Sequence, residues 1–306
     1  MQQDNNIILS YSYTNTVRGI AALIIIISHL LIHWNISRIF NLPASVAVSA
    51  FLFLSGYGIN ESYKKHGFKK FWIKKINKII IPFYLYYTVL TLLRNNYDTN
   101  TFIHEITFTK NEFWYIAFLI RSYLFYWISR KIFPQHTLII LTLFGIISLN
   151  IFEHIEAEQS FCFLLGVITS EKKGIIEQSP QNIKYYLNYL IGGIIIGITF
   201  LLLKEIPTIH QYKGTLLYNY ILVMIKFPLA IVIILMPYYF NILINNKFIH
   251  ICGIASLELY LVHLPISFNT DMTIGSITLF IIKTTIFTYI FYHINQIIKT
   301  CTTISK

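Results

Sequence analysis

The amino-acid sequence predicts an all-α, polytopic integral membrane protein of about ten transmembrane helices with both termini cytoplasmic. Charge comes first: of 306 residues, 55% are hydrophobic and only 12% charged, against about 25% charged in a soluble domain. With a mean hydropathy of +0.60, so few charges cannot cover a surface facing water. The apolar residues also run in long stretches such as 20–32 and 42–54. In lipid such a stretch must satisfy its own backbone groups, which makes it a helix, and the alternation of a transmembrane barrel is missing. Finally, the basic residues behind the net charge of +11 gather between the apolar stretches. On a soluble chain that charge would suggest nucleic acid; here it reads as topology, and no nucleic-acid partner is expected.

A span needs about 20 mostly apolar residues. Ten segments qualify as candidates: 17–34, 43–60, 79–94, 112–130, 136–152, 159–170, 185–203, 217–244, 252–268 and 274–297. The sixth is short and the eighth long. Threading them from a cytoplasmic N-terminus puts fifteen Lys and Arg on the cytoplasmic side, seven of them in the loop Lys64–Lys78, and five outside. That asymmetry orients the chain with both ends inside. The first sixteen residues hold no Lys or Arg, so no cleavable signal is expected. The small residues Ala44–Ala50 lead straight into Phe51 and read as helix-packing positions. The longest polar stretch, Glu171–Lys184, reads as a loop, so residues 1–306 are expected to form one membrane domain with no fused soluble part. Cys162, Cys252 and Cys301 have neither disulfide nor zinc spacing.

Polar residues within spans carry the functional signal, because a charge at a helix centre costs about 2.5–3.5 kcal/mol on insertion scales. Arg121, Lys226, Lys283 and Glu258 fall inside candidate helices. Pairing among themselves is as good a reading as function for Lys226, Lys283 and Glu258. Arg121 leans toward function, since one glutamate cannot neutralise three cations. Arg18 and His29 are eleven residues apart, about three turns, so they share a helix face about 16 Å apart. An anion-binding group at the aqueous edge and a proton-transfer group deeper suit a long ligand with an anionic head and a reactive end, as acyl-coenzyme A has. Histidine suits a general base because it titrates near neutrality. His33, one turn beyond His29, lacks a third ligand nearby, so no metal is expected. The lysines at 64–78 read as a topology signal that also meets anionic lipid heads, and compatibly as a phosphate clamp.

Four elements, in order, resemble the acyltransferase 3 family of integral-membrane O-acyltransferases: Val17-Arg-Gly-Ile-Ala-Ala-Leu with the later His29; Phe53-Leu-Ser-Gly-Tyr-Gly-Ile59; Phe71-Trp-Ile-Lys-Lys-Ile-Asn-Lys-Ile-Ile-Ile-Pro82; and Ser256-Leu-Glu-Leu-Tyr-Leu-Val-His-Leu-Pro265. The third usually reads Arg-x-x-Arg-x-x-x-Pro; here Lys75 and Lys78 keep the charge but not bidentate phosphate binding. The resemblance implies transfer of an acyl group, usually acetyl from acetyl-CoA, to a hydroxyl of a surface glycan (O-antigen or capsule, for example) or lipid-linked glycan. It implies His29 as base or member of a covalent relay, Arg18 at a donor phosphate or the thioester, and Lys75 and Lys78 at the nucleotide end. Arg121 would steady charge near the carbonyl, and Ser55 and Tyr57 would line the donor tunnel. Glu258 would orient a cation and His263 meet the acceptor, although Tyr260, His263 and Pro265 also read as a packed helix end. A bacterial cytoplasmic membrane is the expected location, in keeping with a chain rich in Ile, Asn and Lys; oligomeric state is not readable. The rivals are a transporter or flippase of glycan precursors, which would show inverted repeats and broken helices, and a non-catalytic envelope scaffold.

Overall fold

The computed structural model describes residues 9–94, 103, 113–152, 154–174, 183–267 and 271–304. Among them all regular structure is helical. The principal helices are α1 (Tyr11–His33), α2 (Asn41–His66), α3 (Phe71–Lys75), which runs through a π-turn at Ile76–Ile80 into α4 (Ile81–Arg94), α5 (Trp114–Ile132), α6 (Thr137–Ile151), α7 (Cys162–Glu171), α8 (Ile183–Lys204), α9 (Leu216–Tyr239), α10 (Lys247–Ile254), α11 (Ser256–Ser267) and α12 (Ile274–Ile304). Lys110, Lys306 and the central part of the predicted loop 171–184 lie outside the described residues, as do the side chains of Arg38, Arg94, Lys184 and Cys301.

A helix occupies each of the ten predicted segments, yet among the described residues six helices are long and apolar enough to cross a membrane, or seven if the bent pair α10–α11 is one span. α7 has ten residues, about 15 Å, half of a bilayer core of about 30 Å. The predicted helix 252–268 is broken at Ala255. Gly253 and Ser256, both weak helix formers, bracket the break, and a Cβ on Gly253 would sit 1.9 Å from the Asn15 carbonyl oxygen of α1, so only glycine allows that approach. The predicted helix 217–244 stops at Tyr239, with a separate turn at Asn241–Ile244. The loop Lys64–Lys78 is also mostly helix. Only 67–70 is turn, opened and closed by the left-handed Gly67 (φ 56°) and Lys70 (φ 56°). The π-turn that follows has a cause in Pro82. A proline inside a helix removes the bond to residue i−4 and crowds that carbonyl, here that of Lys78. The widened turn relieves this, with the Ile81 N–H donating to the Ile76 carbonyl five residues back.

The outward faces are apolar. Ile195 on α8 is 59% exposed and Ile281 on α12 is 57% exposed, each among similar neighbours. Faces this continuous in exposed apolar residues belong against lipid.

Two compact units make up the chain. The first comprises Met1–Ile25, Leu42–Lys65 and Phe118–Ile254. In it α2 and α7 approach backbone to backbone: a Cβ on Gly56 would meet the Phe163 oxygen at 2.0 Å, and one on Gly166 the Phe53 oxygen at 2.0 Å. Such small-residue contacts drive helix association where lipid offers no hydrophobic gain. Ala44, Ala47, Ser49 and Ala50 of α2 are buried, and the Tyr13 hydroxyl of α1 donates to the Ile234 carbonyl of α9 at 2.7 Å. The second unit comprises Ile26–Asn41, His66–Ala117 and Ala255–Lys306. Its core is aromatic: Phe113 packs edge-on against Phe83, Tyr86 and Tyr260, and Tyr86 against Phe291. This geometry matches the positive ring edge to the negative face.

Candidate functional site

In the second unit His29, on the last two turns of α1, meets His263 of α11. His29 Nδ1 lies 2.9 Å from His263 Nε2, with ring centroids 5.1 Å apart and planes within 11°. His263 is fully buried, and its Nδ1 lies 2.9 Å from the Leu259 carbonyl oxygen one turn back. A carbonyl can only accept, so His263 Nδ1 carries the proton. A ring buried between a carbonyl and an imidazole is held neutral by the cost of burying charge, so its Nε2 accepts. His29 must then donate from Nδ1, which leaves a lone pair on His29 Nε2. Two hydrogen bonds thus set the tautomer a general base requires. Tyr260, 6.0 Å from His263 between ring centroids, braces the pair against Phe113 and Tyr115. The sequence placed His263 near an acceptor; the structure places it behind His29.

Glu258, also in this unit, is buried and accepts from Asn295 Nδ2 of α12 at 2.7 Å, so its partner is an amide. Lys75 is half-buried with its ammonium 5.9 Å from the Phe71 ring centroid, and Lys78 is exposed on the π-turn.

In the first unit the half-buried Arg18 donates to Asn15 Oδ1 at 3.2 Å. Its charge acts on buried Tyr123 of α5, which is hydrogen-bonded to Ser55 of α2. Three helices therefore bring Arg18, Ser55 and Tyr123 together, of which Tyr123 was not singled out in the sequence. Tyr57 is buried in α2. Arg18 and His29 lie on one uninterrupted helix, as their shared-face reading requires.

Arg121 is ion-paired with Glu156 at 2.7 Å and lies 4.8 Å over the Phe152 ring. Lys226 pairs with Glu158 at 3.6 Å, and Glu158 also accepts from Ser45 of α2. Mutual pairing of Lys226, Lys283 and Glu258 is therefore not what the structure shows. The neutralising carboxylates come from residues 154–158, between two predicted helices, where burial was not expected. Glu156 and Glu158 are each less than 10% exposed. The chemical signal was there: three cations inside helices needed anions, and the run Glu156-Ala-Glu-Gln159 was the nearest supply.

A further network centres on Asn60, which is fully buried. Its Oδ1 accepts from Tyr126 (2.7 Å) and Arg130 (2.9 Å), and its Nδ2 donates to Ser170 (2.9 Å) and Glu171 (3.0 Å). Arg130 pairs in turn with Glu171, and Lys64 donates to the Ser170 carbonyl. Lys64 and Arg130, read as topology signals, here tie α2, α5 and α7 together. A fully satisfied buried amide leaves several partners stranded when removed. Asn60→Ala is expected to destabilise the protein by about 2–3 kcal/mol, read as a lower unfolding midpoint in detergent with transfer chemistry intact at low temperature. Among the described residues no three His, Cys, Asp or Glu side chains gather as a metal site would need.

Fold and site define a multi-pass helical membrane protein in which two histidines from distant helices are hydrogen-bonded ring to ring. Residues 11–294 match the family model described as acyltransferase domain, Acyl_transf_3, and the chain belongs to this acyltransferase 3 family. No curated protein and no solved structure matches it.

Proposed function

We propose that the protein is an O-acyltransferase of the bacterial cytoplasmic membrane. It moves an acyl group, acetyl in the first instance, from cytoplasmic acyl-CoA to a hydroxyl of a cell-surface polysaccharide or lipid-linked glycan. The observation that carries this reading is the chain Leu259 carbonyl–His263–His29, which leaves His29 Nε2 as a proton acceptor. The acceptor hydroxyl gives its proton to His29 Nε2 as its oxygen attacks the thioester carbonyl. The tetrahedral intermediate then collapses, expelling the coenzyme A thiolate, which takes the proton back from the imidazolium. As His29 gains charge, its Nδ1–H bond to His263 strengthens, so His263 is a positioning residue that stabilises the charged intermediate. Arg18, oriented by Asn15, binds a donor phosphate or the thioester, and Ser55 and Tyr57 line the donor's path. Lys75 and Lys78 meet the nucleotide end. Arg121, already held by Glu156, and Glu258, held by Asn295, act on local charge rather than on a proton. About ten membrane-embedded segments with both ends cytoplasmic are our proposed topology, which a helix at each predicted segment supports, α7 reaching only partway across.

His263→Leu is expected to lower turnover about 10–100-fold, the usual cost of losing an orienting partner, with little change in the KM for acetyl-CoA. His263→Gln, whose amide oxygen can accept from His29 Nδ1, recovers part of it. A purely structural role would lower expression and leave the turnover of the folded fraction unchanged.

The broken pair α10–α11, with Pro228 and Pro237 inside α9, favours a transporter as the second reading, since discontinuous helices mark such folds. Inverted membrane vesicles given radiolabelled acetyl-CoA separate the two. Label entering the glycan or lipid fraction above that of vesicles lacking the protein supports the enzyme. Movement of a glycan precursor without label supports the transporter.

A further inference from the structure

Lys283 is a cation with no assigned role. It lies within the 27-residue apolar span 274–300 of α12, is exposed, and among the described residues makes no ion pair or hydrogen bond. The other cations inside spans are accommodated: Arg121 by Glu156, Lys226 by Glu158, Arg18 by Asn15. Glu258, the buried carboxyl among the described residues of its own unit, is taken by Asn295, and α12 itself contains no Asp or Glu. A lone ammonium at membrane depth is costly enough to require a partner.

Beside Lys283 is a cavity of about 320 Å³ within the second unit, lined by α4, α11 and α12. Its volume is at the lower end of ligand pockets, about 300–1,000 Å³. Apart from Lys283 and Ser276 its walls are apolar or aromatic, among them Leu90, Val262, Phe280 and Phe287. Leu279 and Phe287 line it while being 48% and 38% exposed, so it opens on the apolar outer face rather than into the core. With the span centred in a core of about 30 Å, the Lys283 Cα lies about 9 Å below the edge at the Ile274 end. Helical side chains lean toward the N-terminus, and a lysine stem snorkels to bring its ammonium to the headgroup level. An apolar slot opening to lipid, with one cation at its rim near the phosphate plane, matches a single class of occupant.

We propose that this cavity binds an anionic glycerophospholipid, one acyl chain lying in the slot and the phosphate on Lys283. This does not depend on the transfer reaction, because neither Lys283 nor the slot belongs to the machinery assigned above.

Native mass spectrometry of the purified full chain, titrated with phosphatidylglycerol, phosphatidylcholine or diacylglycerol of the same chains, tests it. Wild type is expected to hold one phosphatidylglycerol at least tenfold more tightly than either other lipid. Lys283→Gln is expected to lose that preference, and Lys283→Arg to keep it. Leu279→Trp, which fills the slot without touching the charge, is expected to weaken all three lipids. Position 283 faces outward, so both charge variants should elute as wild type on size exclusion, and a folding defect would be visible there. Equal retention by Lys283→Gln, loss by Lys283→Arg, or no preference over phosphatidylcholine overturns the proposal. So does displacement of phosphatidylglycerol by a polyprenyl phosphate binding tenfold more tightly, which would give the slot to a lipid-linked acceptor.

Discussion

Replacing His29 by alanine is expected to lower acyl transfer by about 10²–10⁴-fold, the range of a general base's contribution, while the protein inserts and folds as wild type. The size follows from the geometry. His29 is the member of the pair whose Nε2 is free of the relay, since its Nδ1 is committed to His263 at 2.9 Å. Its loss removes the proton acceptor; His263 Nε2 then loses its donor, but that ring is fully buried behind the position His29 occupied and its Nδ1 stays tied to Leu259, so it does not replace His29. The fold should survive because His29 is only partly buried, whereas the fully buried packing of α1 is carried by residues such as Tyr13, Val17 and Ala21. The measurement is transfer from radiolabelled acetyl-CoA in inverted vesicles at matched protein levels, with unfolding midpoints in detergent as the control. A variant that is folded and as active as wild type removes His29 from the mechanism and leaves the relay as packing. A variant with less folded protein but normal turnover assigns His29 to structure.

The helical class was legible because it rests on composition and run length, which act residue by residue: a stretch like 274–297 has no other stable state in lipid. The Arg18–His29 pair was legible for a similar reason, since one helix and its period suffice to align them. What could not be read depends on contacts distant in sequence. His263 stands 234 residues from His29, and only the folded chain shows the two rings within hydrogen-bond distance. The break at Ala255 was hidden because hydropathy continues smoothly across it, while its cause, the approach of Gly253 to Asn15, lies between two helices. Seven lysines at 64–78 predict a loop because charge there dominates propensity; the chain continues as helix on either side of a four-residue turn. The buried roles of Glu156 and Glu158 were missed because a short polar stretch between apolar runs normally lies at the surface, and here it packs inward against cations from α5 and α9.

That inward packing makes Glu158 the position where a single charge change should be felt most in stability. Glu158→Gln retains a side-chain oxygen to accept from Ser45 but removes the anion facing Lys226, whose side chain is 8% exposed. Breaking a buried ion pair from one side costs about 3–5 kcal/mol, because the remaining charge is left uncompensated. The expected result is therefore a large fall in the unfolding midpoint of Glu158→Gln, or failure to accumulate in membranes. Adding Lys226→Met should restore most of the loss, since a neutral pair of similar volume is often as stable as the ion pair it replaces. Ser45 retains its contacts with Gln159 throughout, at 3.0 Å and 3.2 Å, so the rescue reads charge and not the loss of the α2 contact. The same double variant separates architecture from chemistry. If the pair only secures α2 and α9 around residues 154–158, the rescued protein should transfer acetyl within a few-fold of wild type. If it folds but is inactive, Lys226 or Glu158 belongs to the reaction, and the assignment of proton transfer to His29 alone would have to be revised.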